Sequence, residues 1–462
     1  MDIHQYRSVY FLGIGGIGMS ALARYFHRNG VMVSGYDKTP TTLTNQLIEE
    51  GIPVHFIENP DLVPARPDLV VYTPALPKDH LELQFVIEKG FPLKKRSEVL
   101  GMITRDARTI AIAGTHGKTT ITTLVAHLLK TAGKDNIAFL GGISKNYHSN
   151  LIMSNRSGHQ PVGSPAYFIV EADEFDRSFL RLFPDIAVIT SADADHLDIY
   201  GNINEVRLSF GEFTSHLKKN GTLILKKGVG ILPENTGNYT IQTYSLEGDA
   251  DFYPEKIRLE NSRFVFDLVM PLRTIRNITL GLPGKFNLEN AIAAAAVAYT
   301  IGIQDEEIIR ALLTFEGVER RFDFQVIRDD FVYIDDYAHH PEELKACIRA
   351  VREIYPGKKI TGIFQPHLFS RTRDFADAFA RSLELLDELI LLEIYPAREN
   401  PIPGINSAML LEKVQLQNKK ICSKAGLPGE LKSRKPEVLL TLGAGDIDQL
   451  VKPIRELFKN IG

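Results

Sequence analysis

Short apolar runs alternate with amphipathic stretches at the start of the chain. Apolar residues fill positions 9–12, an amphipathic stretch follows at 20–29, and a second apolar run at 31–36 ends at Asp37. A further apolar run lies at 69–72. This alternation is typical of βαβ units, so it predicts a parallel sheet with helices packed on its faces.

A second series of the same kind starts at residues 109–113, where an apolar run meets a glycine turn and then a helical pattern. It continues through the apolar runs 167–170 and 186–190. Residues 239–279 instead alternate with a period of two and lack the helical period, which predicts antiparallel strands appended to the central sheet. The helical pattern of residues 289–300 closes this part of the chain.

A third series of apolar runs follows, at residues 332–335, 360–364, 389–392 and 438–442. The whole pattern therefore predicts an α/β protein with three domains. We predict the boundaries to be 1–106, 107–316 and 317–462, with a hinge at 315–322.

Composition agrees with a multidomain globular protein. The 462 residues are 44% apolar and 24% charged, and the net charge of −4 gives no reason to expect a nucleic-acid partner. Cys347 and Cys422 lie far apart and outside any metal-ligand spacing, which excludes a disulfide scaffold and suits a reducing compartment. The pattern contains no leader and no bilayer-spanning run, so we expect a cytoplasmic protein without membrane insertion, either a monomer or a homodimer.

A glycine-rich turn follows the first apolar run. Residues 13–18 read Gly-Ile-Gly-Gly-Ile-Gly, which matches G-x-G-x-x-G between a strand and a helix. Such a turn brings backbone N–H groups and a helix N-terminus close to a diphosphate. NAD and UDP-sugars both carry a diphosphate, so both stay open, as does a turn that only packs helix on strand. The candidate ligand-binding residues are Gly13, Gly15, Gly16, Gly18 and Asp37.

A second turn has the Gly-Lys-Thr core of a phosphate loop. Its residues, again between a strand and a helix, are Gly114, Thr115, His116, Gly117, Lys118, Thr119 and Thr120. The amides of such a loop cradle phosphates, the lysine neutralises the terminal ones, and the hydroxyl binds Mg²⁺. Ile112 stands where G-x-x-x-x-G-K-T requires glycine, and a chance Gly-Lys-Thr is common. The placement between strand and helix nevertheless favours nucleotide binding.

Polar clusters follow two further strands of the central series. Residues 171–178 contain Glu171 and three more carboxylates, and residues 193–198 contain three aspartates and His196. Carboxylates and a histidine at the carboxyl edge of a sheet with a phosphate loop are placed to hold Mg²⁺. A solvated acidic turn and a structural histidine are the alternatives.

Other candidate residues lie in the third series and at the predicted hinge. The polar clusters 335–341 and 365–371 end two strands that we expect to be neighbours, which predicts a ligand crevice. Arg320 could clamp phosphates or lie on the surface. Asn287 and Asn290 could read an adenine edge or cap the following helix.

Together, these motifs resemble the Mur ligases, in the same order and over essentially the whole chain. The elements that carry the resemblance are GIGGIGMS (13–20), GTHGKTT (114–120), EADEFDRSFL (171–180), DHLDIY (195–200), DDYAHHP (335–341) and FQPHLFSRTR (364–373). The resemblance implies an N-terminal Rossmann-like domain, a central P-loop ATPase-like domain with added antiparallel strands, and a C-terminal Rossmann-like domain. It also implies that the first glycine turn holds a UDP-sugar and not NAD.

The implied reaction is ATP-dependent ligation of L-alanine to the lactoyl carboxylate of UDP-N-acetylmuramate through an acyl phosphate, in peptidoglycan precursor synthesis. The implied cofactors are ATP and Mg²⁺. The implied catalytic residues are Lys118, His196, His339 and Arg371. The implied ATP contacts are residues 114–120, Asn287, Asn290, Arg320 and Asp336. The implied UDP-sugar contacts are Gly13, Gly15, Gly16, Gly18, Asp37 and Ser178. The implied amino-acid pocket consists of Tyr337, His339 and Arg371, and the implied metal ligands are Thr119, Glu171 and His196.

Three positions depart from the family pattern. Phe286 stands where a histidine is common, Leu368 where many members have arginine, and Ala338 where glycine is common. No lysine occurs between His196 and Lys218, so we predict no carbamylated lysine of the kind that several relatives use. Two alternatives stay open: a recycling ligase that attaches a preformed tripeptide to the same UDP-sugar, and a nicotinamide-dependent dehydrogenase built on the first glycine turn.

Overall fold

The structure, a computed structural model, contains two compact units of α/β type. It describes residues 5–154, 166–193, 200, 202–260, 263–397 and 399–459. The larger unit consists of described residues from 1–282 and 287–316, and the smaller unit of those from 283–286 and 317–462. Within the described ranges, no helix has the length and apolar character needed to cross a membrane.

The larger unit begins with a five-stranded parallel sheet. Its elements are β1 (Ser8–Leu12), α1 (Ile17–Arg28), β2 (Met32–Tyr36), α2 (Thr42–Glu49), β3 (Val54–His55), β4 (Leu69–Tyr72), α3 (Leu81–Glu88), β5 (Leu93–Lys95) and α4 (Arg96–Thr104). The strand order is β3-β2-β1-β4-β5. The parallel sheet predicted from the hydrophobic pattern is confirmed.

A seven-stranded sheet follows in the same unit. Its order is β12-β11-β10-β6-β9-β7-β8, and β8 alone among these strands runs antiparallel to its neighbour. The elements up to its last strand are β6 (Arg108–Ala113), α5 (Lys118–Thr131), β7 (Asn136–Ser144), β8 (Ser149–Met153), β9 (Tyr167–Ala172), β10 (Ile186–Ile189), α6 (Ile203–Ser215), β11 (Gly221–Lys226) and β12 (Tyr239–Tyr244).

The prediction for residues 239–279 was wrong in two details. β12 is a parallel edge strand of the seven-stranded sheet, because a period of two does not distinguish parallel from antiparallel pairing. The antiparallel strands β13 (Tyr253–Glu260), β14 (Arg263–Met270) and β15 (Arg273–Thr279) form a separate three-stranded sheet. The helices α7 (Lys285–Thr300) and α8 (Asp305–Thr314) follow.

Helix α1 joins the two large sheets of this unit. One apolar core contains residues of both, among them Phe11 and Tyr25 from the first sheet and its helix, and Phe139 from β7. The Tyr25 and Phe139 rings pack edge to face with centroids 5.3 Å apart. Because this core is continuous, the glycine turn that precedes α1 is fixed relative to the seven-stranded sheet.

A buried polar cluster in the same contact supports α1. Arg24 is 2% exposed; its Nε donates to Glu50 at 2.8 Å, and its Nη1 donates to Asn150 of β8. The Asn150 amide nitrogen in turn donates to the Ile17 carbonyl oxygen at 2.6 Å and to the Ser20 hydroxyl at 2.8 Å. A single asparagine on a hairpin thus satisfies polar groups along the first two turns of α1.

The smaller unit is built on a six-stranded sheet in the order β16-β17-β21-β18-β19-β20. Only β16 is antiparallel to its neighbour. Its elements are β16 (Asp323–Ile327), β17 (Val332–Asp336), α9 (Pro341–Ile354), β18 (Ile360–Phe364), α10 (Phe369–Asp374), α11 (Ala376–Leu383), β19 (Glu388–Leu391), α12 (Ser407–Lys413), β20 (Lys419–Ile421), α13 (Leu427–Arg434), β21 (Val438–Leu442) and α14 (Asp448–Lys459).

The prediction that β17 and β18 are neighbours was wrong. β21 pairs with both of them and lies between them. The connection from β17 through α9 leads to β18, which lies two strand positions away. The position between them is occupied by β21, about 75 residues later in the chain. Both polar clusters still lie at the same carboxyl edge, because all three strands are parallel.

We predict that Asn150→Ala destabilises the protein by about 1–3 kcal/mol, because it leaves buried groups of Arg24 and Ser20 without their partner. Urea unfolding measures this loss. Asn45→Ala, at an exposed position of α2, is the matched control and should leave the midpoint unchanged. Equal midpoints for both variants would show that Asn150 does not support α1.

Candidate active site

The glycine turn between β1 and α1 is held by the end of β2. Gly13 has a φ of +84°, a conformation that favours glycine. The amides of Gly13 and Ile14 both donate to the Tyr36 carbonyl oxygen, at 2.8 and 2.9 Å. The Gly15 amide donates to the Asp37 carboxylate at 2.7 Å. Asp37 therefore supports the turn itself, while the first turn of α1 offers amides to an anion.

The other predicted UDP-sugar residues lie near this turn. Gly16 directly precedes α1, and Gly18 is in its first turn. Ser178 lies in a short 3₁₀ helix after β9, where its hydroxyl donates to the Phe175 carbonyl oxygen at 2.7 Å. Ser178 lines a small cavity together with Arg96, which follows β5.

The phosphate loop between β6 and α5 requires glycine at two positions. The φ angles of Gly114 and Gly117 are +129° and +82°. A Cβ atom on Gly117 would also lie 2.7 Å from Oδ1 of Asn290. Asn290, predicted to contact adenine, thus packs against the phosphate loop itself, and Asn287 is buried on the same helix, α7.

Two hydroxyl residues after β10 hold this loop in place. The Ser191 hydroxyl is 2.8 Å from the Thr115 hydroxyl and accepts from the His116 amide at 3.0 Å. The Thr190 hydroxyl donates to the His116 carbonyl oxygen at 2.5 Å. Thr190 and Ser191 were not predicted as site residues. Their place after a strand next to β6 is the signal that could have identified them.

Lys118 forms a buried ion pair at the start of α5. Its Nζ donates to the Gly114 carbonyl oxygen at 2.7 Å and to Oε1 of Glu174 at 2.8 Å. Glu174 is 1% exposed. Burial acts to lower the pKa of Lys118, but the charges of Glu174, Asp173 and Glu171 outweigh it and raise that pKa. The ammonium group is therefore charged, and it lies over the loop that would receive phosphates.

The residues at the carboxyl edge of β9 include oxygen ligands of the kind that Mg²⁺ prefers. Glu171 is paired in register with Ile112 of β6 and accepts from the Gly141 amide at 2.7 Å. Oε2 of Glu174 is buried without a hydrogen-bond partner among the described residues. Together with the Thr119 hydroxyl in the first turn of α5, these are the oxygen ligands that Mg²⁺ prefers. His196, the third predicted ligand, lies outside the described residues. Among those that are described, no three His, Cys, Asp or Glu side chains are grouped closely enough to hold a metal ion.

The predicted amino-acid pocket lies at the carboxyl edge of the six-stranded sheet. Nδ1 of His339 is 3.0 Å from the Tyr337 carbonyl oxygen and 3.3 Å from the Glu343 carboxylate. Burial lowers the pKa of His339; the Glu343 charge opposes this, and the charge of nearby Arg371 adds to it. The His339 ring also lies 6.0 Å from that of His367, measured between centroids. The structure thus brings Tyr337, His339 and Arg371 close together, with His367 of the predicted cluster 365–371 as a neighbour.

Arg320 and Asp336, the predicted nucleotide contacts of the smaller unit, are both bonded within that unit. Arg320 donates from Nε to Asp335 at 3.2 Å and from Nη2 to the Gly443 carbonyl oxygen at 2.6 Å. The two oxygens of Asp336 accept from the amides of Phe322, at 2.6 Å, and Ala338, at 2.8 Å. These contacts shape the turn after residue 319, whose backbone has positive φ at Arg320 and Phe322.

Of the three departures from the family pattern, Phe286 has a packing role. The Phe286 ring packs edge to face on Phe322 with centroids 5.3 Å apart, in the core of the smaller unit. Leu368 precedes α10 with a φ of +70°, a left-handed conformation that is uncommon for leucine. Neither side chain supplies a polar contact.

Family models match most of the chain. "Mur ligase family, catalytic domain" matches residues 8–108, "Mur ligase middle domain" residues 112–298, and "Mur ligase, glutamate ligase domain" residues 320–444. The UDP-N-acetylmuramate–L-alanine ligase of Parabacteroides distasonis is 50% identical over 462 residues, which cover 99% of this chain and 98% of that protein.

Solved structures agree with this match. The UDP-N-acetylmuramate-alanine ligase of Thermotoga maritima superposes with a TM-score of 0.82 at 28% identity, covering 98% of this chain and 100% of that chain. A murein peptide ligase of Psychrobacter arcticus has the same fold, with a TM-score of 0.72 at 22% identity and 99% of both chains covered. The chain belongs to the Mur ligase family, and the predicted fold class is confirmed. Membership of a ligase family removes the dehydrogenase alternative.

We predict a pH effect from Asp335, which is fully buried beside Arg320 and has its pKa raised by burial to about 6. Because an unfolded aspartate titrates near 4, the folded state binds more protons between about pH 4 and 6. The free energy of unfolding therefore falls as pH rises through this window, by up to about 3 kcal/mol from this group.

Asp335→Asn should make the free energy of unfolding, measured with urea, decrease less steeply between pH 4 and 6. Asp330→Asn, at an exposed position, is the control and should keep the wild-type slope. If the free energy of unfolding had the same pH slope in the wild type and in both variants, the raised pKa of Asp335 would be contradicted.

Proposed function

We propose that this protein joins the amine of L-alanine to the lactoyl carboxylate of UDP-N-acetylmuramate and converts ATP to ADP and phosphate in the same reaction. The observation that carries the proposal is the 50% identity over 99% of the chain to a UDP-N-acetylmuramate–L-alanine ligase. The product would be a precursor of peptidoglycan.

The chemistry requires activation, because a carboxylate is a poor electrophile. A lactoyl oxygen attacks the γ-phosphorus of ATP, its bond to phosphorus forms, and the bond to the β-phosphate oxygen breaks, which gives an acyl phosphate and ADP. The amine of L-alanine then attacks the acyl carbon, and phosphate leaves as the amide forms. Two anions meet in the first step, so positive charge at the site lowers its barrier.

Lys118 supplies this charge from the chain itself. Its ammonium group lies over the phosphate loop and would move from Glu174 to the phosphates of ATP. The amides of the loop, shaped by Gly114 and Gly117, would bind the remaining phosphate oxygens. Thr119, Glu171 and His196 would hold Mg²⁺, which neutralises phosphate charge when it is bound.

In the smaller unit, Arg371 would bind the carboxylate of L-alanine through a planar fork of N–H groups. The lowered pKa keeps His339 neutral at pH 7, so its ring can accept a proton or a hydrogen bond. Tyr337 shapes the same pocket through its contact with His339.

The three predicted domains would divide the substrates among them. Residues 1–106 would bind the UDP-sugar, residues 107–316 ATP, and residues 317–462 the amino acid, with Arg320 and Asp336 as further nucleotide contacts. The enzyme would work in the cytoplasm as a monomer or homodimer, without nucleic acid.

Phosphate release with ATP, UDP-N-acetylmuramate and each of several amines tests the function. L-alanine should support the fastest release, glycine and L-serine slower release, and the tripeptide of a recycling ligase none. Discrimination against glycine rests on one methyl group, so it should not exceed about 200-fold. Release with the tripeptide but not with L-alanine would favour the recycling ligase, whose fold this chain shares.

Lys118→Met should lower the rate of phosphate release at least about a hundredfold, because one electrostatic contact to the transferring group is lost. Methionine keeps the apolar stem of the side chain. Lys130→Met, at the exposed end of the same helix, is the control and should retain full activity. A folded Lys118→Met variant with normal turnover would show that ATP reacts elsewhere.

Arg371→Ala should raise the KM for L-alanine at least about tenfold, a loss of about 1.4 kcal/mol or more, while the KM for ATP changes little. Leu368 offers no second cation to take over the contact. Arg373→Ala, which removes an exposed arginine two residues further along α10, is the control. An unchanged KM for L-alanine would show that the carboxylate of L-alanine does not bind at Arg371.

A further inference from the structure

Helix α10, which carries Arg371, is too short to be stable by itself. It has six residues, and an isolated helix of this length does not form in water. Its first N–H groups have no acceptor within the helix. The preceding residue, Leu368, has no side-chain oxygen to cap them, and its φ of +70° lies in the left-handed region. The start of α10 therefore needs an acceptor from elsewhere in the chain.

Glu399 supplies this acceptor from the connection after β19. Its Oε2 accepts from the Ser370 amide at 2.9 Å, and its Oε1 accepts from the Ser370 hydroxyl. Ser370 is the second residue of α10, and its amide is one that an N-cap side chain normally binds. A negative charge at this end also interacts favourably with the helix dipole. A glutamate 29 residues further along the chain thus replaces the missing cap.

The connection that carries Glu399 is itself bonded to the segment before α10. The Tyr395 amide donates to the Pro366 carbonyl oxygen at 2.9 Å, and the Leu368 amide donates to the Tyr395 carbonyl oxygen at 3.0 Å. The Tyr395 ring stacks on that of His367, with centroids 5.8 Å apart. The cap therefore comes from a part of the chain that is fixed next to α10 at several points.

The position of Arg371 depends on this helix. Arg371 directly follows Ser370, and no side chain that the structure describes forms an ion pair with its guanidinium group. The next residue, Thr372, is fully buried, and its hydroxyl donates to the Leu368 carbonyl oxygen at 2.7 Å. Because Thr372 keeps α10 attached to the sheet, loss of the cap should displace the first turn of the helix without unfolding the protein.

We propose that Glu399 is a positioning residue that caps α10 and thereby holds Arg371 where it binds the carboxylate of L-alanine. This inference rests on the proposed function, since it takes L-alanine as the ligand of Arg371. An arginine fork binds a carboxylate through two N–H groups only in a narrow range of orientations, so a small displacement of the helix lowers the affinity.

Steady-state kinetics of full-length variants test this role. Glu399→Ala should raise the KM for L-alanine about fivefold and leave kcat and the KM for ATP within about twofold, as expected for one lost helix cap. Glu399→Gln keeps polar atoms that can bond the Ser370 amide and hydroxyl, so its KM for L-alanine should stay within about twofold of the wild type. Glu412→Ala, which removes an exposed glutamate of α12, is the control and should behave like the wild type.

A double-mutant cycle shows whether Glu399 acts through Arg371. In the Arg371→Ala background, Glu399→Ala should not raise the KM for L-alanine further, because the guanidinium group that the cap positions is already absent. If the two effects on KM multiply, Glu399 acts independently of Arg371 and the proposal is wrong.

Two other results would also overturn the proposal. If Glu399→Gln and Glu399→Ala lose kcat equally, the charge of Glu399 takes part in the reaction itself. If Glu399→Ala lowers the Tm but keeps the KM for L-alanine, the cap only stabilises the fold.

The proposed function and the role of Glu399 fail in different ways. If the wild type releases no phosphate with L-alanine, the proposed function fails, and the role of Glu399 with it. If Arg371→Ala raises the KM for L-alanine and Glu399→Ala does not, only the role of Glu399 is refuted.

Discussion

The contact between α1 and the β7–β8 hairpin fixes the position of the first sheet relative to the seven-stranded sheet. It combines an apolar core shared by two sheets with the buried bonds from Asn150 to α1. Since close-packed interiors do not deform continuously, this contact fixes the start of α1 relative to the strand ends of the seven-stranded sheet. The glycine turn and the end of β9 therefore keep constant positions, as the proposed binding of two phosphorylated substrates would require.

The local features of the fold were predictable because each depends on a few adjacent residues. Strand, glycine turn and helix follow one another at residues 13 and 114 as the apolar runs indicated. Strand order was not predictable to the same extent. The insertion of β21 between β17 and β18 depends on packing between residues about 75 to 110 positions apart. The hydrophobic period within one short run of residues carries no information about such distant contacts.

The same limit applies to the candidate site. Lys118 stood out because a short motif identifies it, whereas its partner Glu174 was one of four carboxylates in a row of eight residues. Only the structure shows that Glu174 is buried and that the side chain of Asp173 is partly exposed. For Asp37, the motif predicts only a ligand contact. The structure shows that its carboxylate also accepts a hydrogen bond from the Gly15 amide of the turn.

The carboxylates at the end of β9 and directly after it have different partners. Glu171 accepts from the Gly141 amide, Asp173 pairs with Arg96, and Glu174 pairs with Lys118. The charge of Glu174 thus raises the pKa of Lys118, and in the proposed reaction the phosphates of ATP would replace this carboxylate. A buried cation without such a partner would be costly. The pair at Arg96 is 3.6 Å long and partly exposed, whereas the pair at Lys118 is 2.8 Å long and buried, so separating the pair at Lys118 has the higher electrostatic cost.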